Sequence, residues 1–96
     1  MNVKLIRMSS GEDIICDLIE ETDNQITICD PIVAVPAGNG QIGFAPWSPL
    51  INKDVKELTI NKKFVVYITE TTDRMVQEYQ SMFSSIITPN KQLQIK

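Results

Sequence analysis

The chain has 96 residues, 43% of them hydrophobic and 22% charged, which predicts one globular domain rather than two cores or a disordered polymer. Nine basic and twelve acidic side chains leave a net charge of −3. Bulk attraction to nucleic acid or anionic lipid is therefore excluded, and any polyanion contact must be local. Histidine is absent, which removes the commonest general base near neutral pH and the commonest metal ligand. The composition argues against an enzyme, and no cofactor is expected. The longest apolar runs, Ile32 to Val35 and Phe64 to Ile68, fall far short of the ~20 residues a membrane span needs. The N-terminus lacks the apolar core of a signal peptide, so a cytoplasmic protein is expected.

Val3 to Met8 is short and apolar-rich, and Ser9-Ser10-Gly11-Glu12 follows it with turn chemistry. From Asp13 to Glu20 the residues alternate: Ile14, Cys16 and Leu18 share one face, and Ile15, Asp17 and Ile19 the other. Asp23-Asn24 breaks the run, and Ile26 to Val35 returns as the second arm of a hairpin. Pro36-Ala37-Gly38-Asn39-Gly40 is a strong turn signal. Gln41 to Leu50 contains two prolines and a glycine, which confine it to an edge or bulged strand. Glu57 to Ile60 and Phe64 to Ile68 read as strands around the turn Asn61-Lys62-Lys63. After Glu70 the period changes. Met75, Val76, Tyr79, Met82, Phe83 and Ile86 form one apolar stripe, predicting a helix over about 72–86 capped by Thr71 or Thr72.

The predicted architecture is mainly β: about five bent antiparallel strands and a C-terminal α-helix, with residues 1–86 as one domain and 87–96 as a flexible polar tail. The hairpin and the Phe64 strand are apolar on both faces, which a sheet wet on one side would not be. The helix is expected to cover only part of the second face, leaving a neighbouring subunit to cover the rest.

Few side chains offer chemistry. Glu12-Asp13, Asp17 and Glu20-Glu21 could bind a hard cation but lack EF-hand spacing, and read better as acidic decoration of strand edges. Ser9 and Ser10 have no base to activate them. Cys16 and Cys29 contain no CxxC pair and, without histidine, cannot form an ordinary zinc site. With the turn centred on Asp23-Asn24, both thiols fall on one face and are expected to be reduced and buried. Trp47 and Phe44 read as core or interface aromatics, with base stacking as the functional alternative. Lys62-Lys63 is the one adjacent basic pair, placed between two strands.

Those strands carry a resemblance. Ile60-Asn61-Lys62-Lys63-Phe64-Val65-Val66-Tyr67-Ile68 resembles the second Sm motif, in which an Arg-Gly turn joins two strands. Gly11, Ile14, Cys16 and Leu18 similarly resemble the first motif, and Asp23-Asn24 lies near the turn that holds Asp and Asn in Sm proteins. The likeness covers roughly residues 3–68 and extends to small Sm-like proteins carried by marine phages. Asn61-Lys62 replaces the family's Arg-Gly, and Cys16 stands where a glycine is usual. The family's N-terminal helix has no room before Val3. The resemblance implies an Sm-like small open barrel and a homo-oligomeric ring of about five to seven subunits. It also implies a site for single-stranded RNA or DNA at Asp23, Asn24, Asn61, Lys62 and Lys63, around a central pore. The alternative is a structural or adaptor ring that binds another protein.

Overall fold

The computed structural model describes residues 1–83. It contains six strands and one helix in the order β1 (Val3–Met8), β2 (Asp13–Glu21), β3 (Gln25–Pro36), β4 (Ile42–Pro46), β5 (Leu58–Asn61), β6 (Val65–Thr69) and α1 (Asp73–Phe83). The strands form one antiparallel sheet ordered β4-β3-β2-β1-β6, and β5 also pairs with β3. The mainly β fold with a following helix matches the expectation. The strand count is six, because β3 is long enough to serve two partners along its edge away from β2. Its residues Gln25 to Ile28 pair with β5, and Ile32 to Pro36 pair with β4.

The switch of partner occurs at Asp30-Pro31. Proline brings no ladder donor, and Asp30 has a φ of 49°, a left-handed conformation that interrupts an extended strand. The β2–β3 register shifts on crossing this point, and again around Ile19. Each bulge adds bend and twist to its strand. The first hairpin therefore curls, and its two faces bury different clusters.

Inside the curl lie Ile6, Met8, Ile14, Cys16, Leu18, Ile26, Ile28 and Ile60, with Trp47 and Leu58 packed against them. On the opposite face Val3, Ile15, Ile32 and Tyr79 form a second cluster, joined by Leu5, Phe44, Met75, Val76 and Phe83. Trp47 and Phe44 are thus packing residues, one for each cluster. The alternation read from β2 holds, since Ile14, Cys16 and Leu18 face one cluster and Ile15 the other.

Helix α1 begins as the sequence implied. Thr72 caps it, its Oγ1 accepting a hydrogen bond from the Met75 amide at 3.2 Å, and Asp73 occupies the first turn. Its apolar stripe lies over the second face of the sheet and leaves Val3, Ile15 and Ile32 buried. The helix covers that part of the face, while Ile19 on β2 and Val66 on β6 remain exposed. Met82 departs from the stripe and is exposed. The expected extension to Ile86 and the tail at 87–96 lie outside the described residues.

Tyr79 anchors the helix. Its side chain is fully buried, and its ring meets Phe83 one turn on at a centroid distance of 4.7 Å. The hydroxyl lies 3.0 Å from the carbonyl oxygen of Cys29 and 2.9 Å from that of Asp30. It donates into the break of β3, where the strand's ladder is interrupted. Tyr79→Phe keeps the packing but strands these carbonyls, at a cost of about 1–3 kcal/mol; Tyr79→Ala adds a cavity and costs about 3–5 kcal/mol. Urea denaturation followed by Trp47 fluorescence checks both values and their order.

Candidate functional site

The two turns singled out in the sequence meet in space. β5 ends at Asn61, directly opposite Gln25 in the ladder, and this register places the turn after β5 beside the turn before β3. The Lys62 amide donates to the Asn24 carbonyl at 2.8 Å. Thr22 organises the other turn, its Oγ1 accepting from the amides of Asn24 and Gln25 at 3.3 and 3.2 Å. Residues 62–64 form a single 3-10 turn, capped by the Asn61 side chain, whose Oδ1 accepts from the Lys63 amide at 3.0 Å. The turn is not the tip of a hairpin. β5 pairs with β3, whereas β6 crosses to pair with β1.

Asp23, Asn24, Asn61 and Lys63 are exposed, and Lys62 is half-buried. The side chains are not equally available. Asn61 spends its carbonyl oxygen on the cap, which leaves its amide NH2 to face outward as a donor. Lys63 extends over the Phe64 ring, with Nζ 5.3 Å from the centroid. Lys62 pairs with Glu21 through a 2.6 Å Nζ to Oε2 contact. Beside this pair lies a cleft of about 290 Å³, bounded by Glu21, Lys62 and Val65 to Ile68 of β6. The motif spacing brought Asp23, Asn24, Asn61, Lys62 and Lys63 into one neighbourhood. It did not reveal Glu21 as their member. Glu21 is the last residue of β2, opposite Ile26, a placement that only the pairing of β5 with β3 turns into contact with Lys62.

The sequence also missed an arginine near this rim. Arg7 lies between Asp13 and Tyr67 in the ladders on either side of β1. Its guanidinium pairs with both Asp13 oxygens, the Nη2 to Oδ2 distance being 2.9 Å, and stands 5.8 Å from the centre of the Tyr67 ring. The Asp13 side-chain hydrogen bond pushes the Arg7 pKa further up, and the same bond holds the Asp13 carboxyl below its ordinary value. Other carboxylates are similarly engaged. Glu12 accepts from Ser10 Oγ and Trp47 Nε1, and Asp17 accepts from the Asn2 amide. Among the described residues no group of three or more Cys, Asp or Glu side chains could hold a metal ion.

The thiols require a correction. Both are free, but only Cys16 is buried, and they do not share a face. The register shift beyond Leu18 moves Cys29 opposite Asp17, so it points away from the cluster that holds Cys16. A one-residue slip exchanges faces, and the sequence carried no sign of the bulge. Cys29 is half-buried and donates its S–H to the Lys56 carbonyl at 2.8 Å.

Compared with known proteins, the chain matches no family model, and no curated protein matches it in sequence. Among the described residues no helix is long and apolar enough to cross a membrane.

Burial pushes the Cys16 thiol up to about 12 from its ordinary 9.0, with Asp17 and Cys29 adding smaller contributions. Burial is also the main cause that raises the Cys29 thiol. Between these limits the unfolded Cys16 loses its proton while the folded one keeps it, so stability falls as pH rises from about 9 to 12. Urea midpoints should be flat below pH 9 with respect to this group and decline above it, less steeply in Cys16→Ala. Alkylation of native protein near pH 8 should label Cys29 slowly and Cys16 only on unfolding.

Proposed function

We propose that this protein is an Sm-like ring-forming module that binds single-stranded RNA or DNA through the joined turns at residues 23–24 and 61–63. The observation that carries the reading is the Lys62 amide to Asn24 carbonyl bond. It tethers two separate turns, so that Asn24, Asn61 and the two lysines lie in one neighbourhood. Asparagine can donate to and accept from base edges, and lysine meets phosphate as a point charge. Tyr67 and Phe64, both exposed on the neighbouring strand and turn, offer aromatic faces on which bases stack.

Two open edges support assembly. Among the described residues β6 is unpaired on one side of the sheet, and β4 and β5 lie along the other. Exposed strand edges invite pairing with another chain. Val66 on β6 is 62% exposed and Ile42 on β4 is 64% exposed, so both edges present apolar side chains for burial. Joining unlike edges is a head-to-tail contact, which closes into a ring when the rotation permits. A ring of about five to seven copies repeats Lys62 and Lys63 around one rim, concentrating positive charge that one chain's net −3 hides.

The second reading, an adaptor ring that binds another protein, draws support from the charges beside the turns. Glu20, Glu21 and Asp23 accompany the two lysines, and Lys62 is already neutralised by Glu21. Such a rim suits a polar protein surface as well as a polyanion.

Light scattering at micromolar concentration should give the mass of a closed oligomer; a monomer refutes the ring. Filter binding with single-stranded RNA should give weak, saturable binding that falls with salt. In Lys62→Glu/Lys63→Glu affinity should drop at least about tenfold, the size of losing two phosphate contacts, with the oligomer intact. Equal binding by this variant rejects the site. No binding by wild type at micromolar protein favours the adaptor.

A further inference from the structure

We infer that Glu21 is an affinity-setting residue of the candidate site, occupying Lys62 so that only a ligand with closely spaced phosphates can displace it. The inference rests on the nucleic-acid reading and adds to it a residue that opposes binding. Three observations place Glu21 in this role. Its carboxylate lies 2.6 Å from Lys62 Nζ, with the two side chains 44% and 31% exposed. The Lys62 amide is tied to the Asn24 carbonyl, which fixes the backbone from which the lysine side chain reaches Glu21. Glu21 is fixed in turn by its place opposite Ile26 in the β2–β3 ladder.

The consequences follow from the partial exposure. An ion pair this open to water is worth little, so an incoming phosphate competes with Glu21 for the ammonium and holds it only part of the time. The displaced carboxylate remains on the end of β2, however, and faces the new anion at short range. Like charges across a contact oppose binding. A single carboxylate or an isolated phosphate gains nothing over Glu21 itself. A strand of nucleic acid brings several phosphates at once and engages Lys63 together with Lys62, which compensates for the repulsion. Glu21 thus sets a threshold that discriminates dense polyanions from the acidic side chains of proteins.

The test is fluorescence anisotropy with a labelled single-stranded uridine oligonucleotide on the full chain, comparing wild type, Glu21→Gln, Glu21→Asp and Glu21→Gln/Lys62→Gln across a salt series. Glu21→Gln keeps the side-chain shape and removes the charge. It should bind roughly tenfold tighter at about 50 mM salt, with the log–log salt slope steeper by about 0.7 for each contact regained. Glu21→Asp, which keeps the charge but shortens the reach, should fall between Glu21→Gln and wild type. In the Lys62→Gln background the gain from Glu21→Gln should vanish. Changes in mass or circular dichroism would identify an effect through the fold, and only the salt slope reports the freed contact. If wild type binds and Glu21→Gln binds equally with the same slope, the role of Glu21 is overturned while the nucleic-acid reading stands. A gain that survives loss of Lys62 also overturns it, since the effect is then general charge. Absence of binding by both wild type and Glu21→Gln overturns the reading and this role together.

Discussion

The hydroxyl of Tyr79 and the break in β3 that it fills hold the rest of the structure in place. A twelve-residue strand running straight would lie in a flat sheet with one partner along its length. At Asp30-Pro31 the left-handed backbone and the missing amide interrupt the ladder, and the carbonyls of Cys29 and Asp30 receive a hydroxyl from the helix instead of a neighbouring strand. Buried carbonyls need such a partner. One side chain therefore satisfies the break, docks the helix and separates the half of β3 that pairs with β4 from the half that pairs with β5.

From that separation come the two clusters and the site. Curling of β2 and β3 encloses Ile6, Ile14, Ile26 and Ile28 as one core, and turns Val3, Ile15 and Ile32 toward the helix as another. The β5 half of β3 then carries Asn61 opposite Gln25, which sets Lys62 next to Asn24 and within reach of Glu21. Because β5 and β6 pair with different strands, the turn between them crosses from β3 to β1 rather than projecting as a hairpin tip. The electrostatics around that turn are mixed, with each lysine partly engaged: Lys62 by a carboxylate, Lys63 by the face of Phe64.

Local chemistry determined much of this in advance. The period of two from Asp13 to Glu20, the turn residues at Asp23-Asn24 and Gly38-Asn39-Gly40, and the change to helical spacing after Glu70 identify strands, turns and helix because each pattern is a direct consequence of side-chain direction along the backbone. The turn at Asn61 to Lys63 and the turn at Asp23-Asn24, both marked by polar turn residues in the sequence, are neighbours in the fold. What only the tertiary structure decided concerns register and partnership. The bulge near Ile19 moved Cys29 to the other face from Cys16, the helix covered Val3, Ile15 and Ile32, β3 took β4 and β5 in turn along its edge away from β2, and Glu21 closed on Lys62. A bulge depends on how two paired strands compete for hydrogen bonds, and an ion pair between Glu21 and Lys62 depends on which strands become neighbours. Neither leaves a periodic mark on the residues that make it.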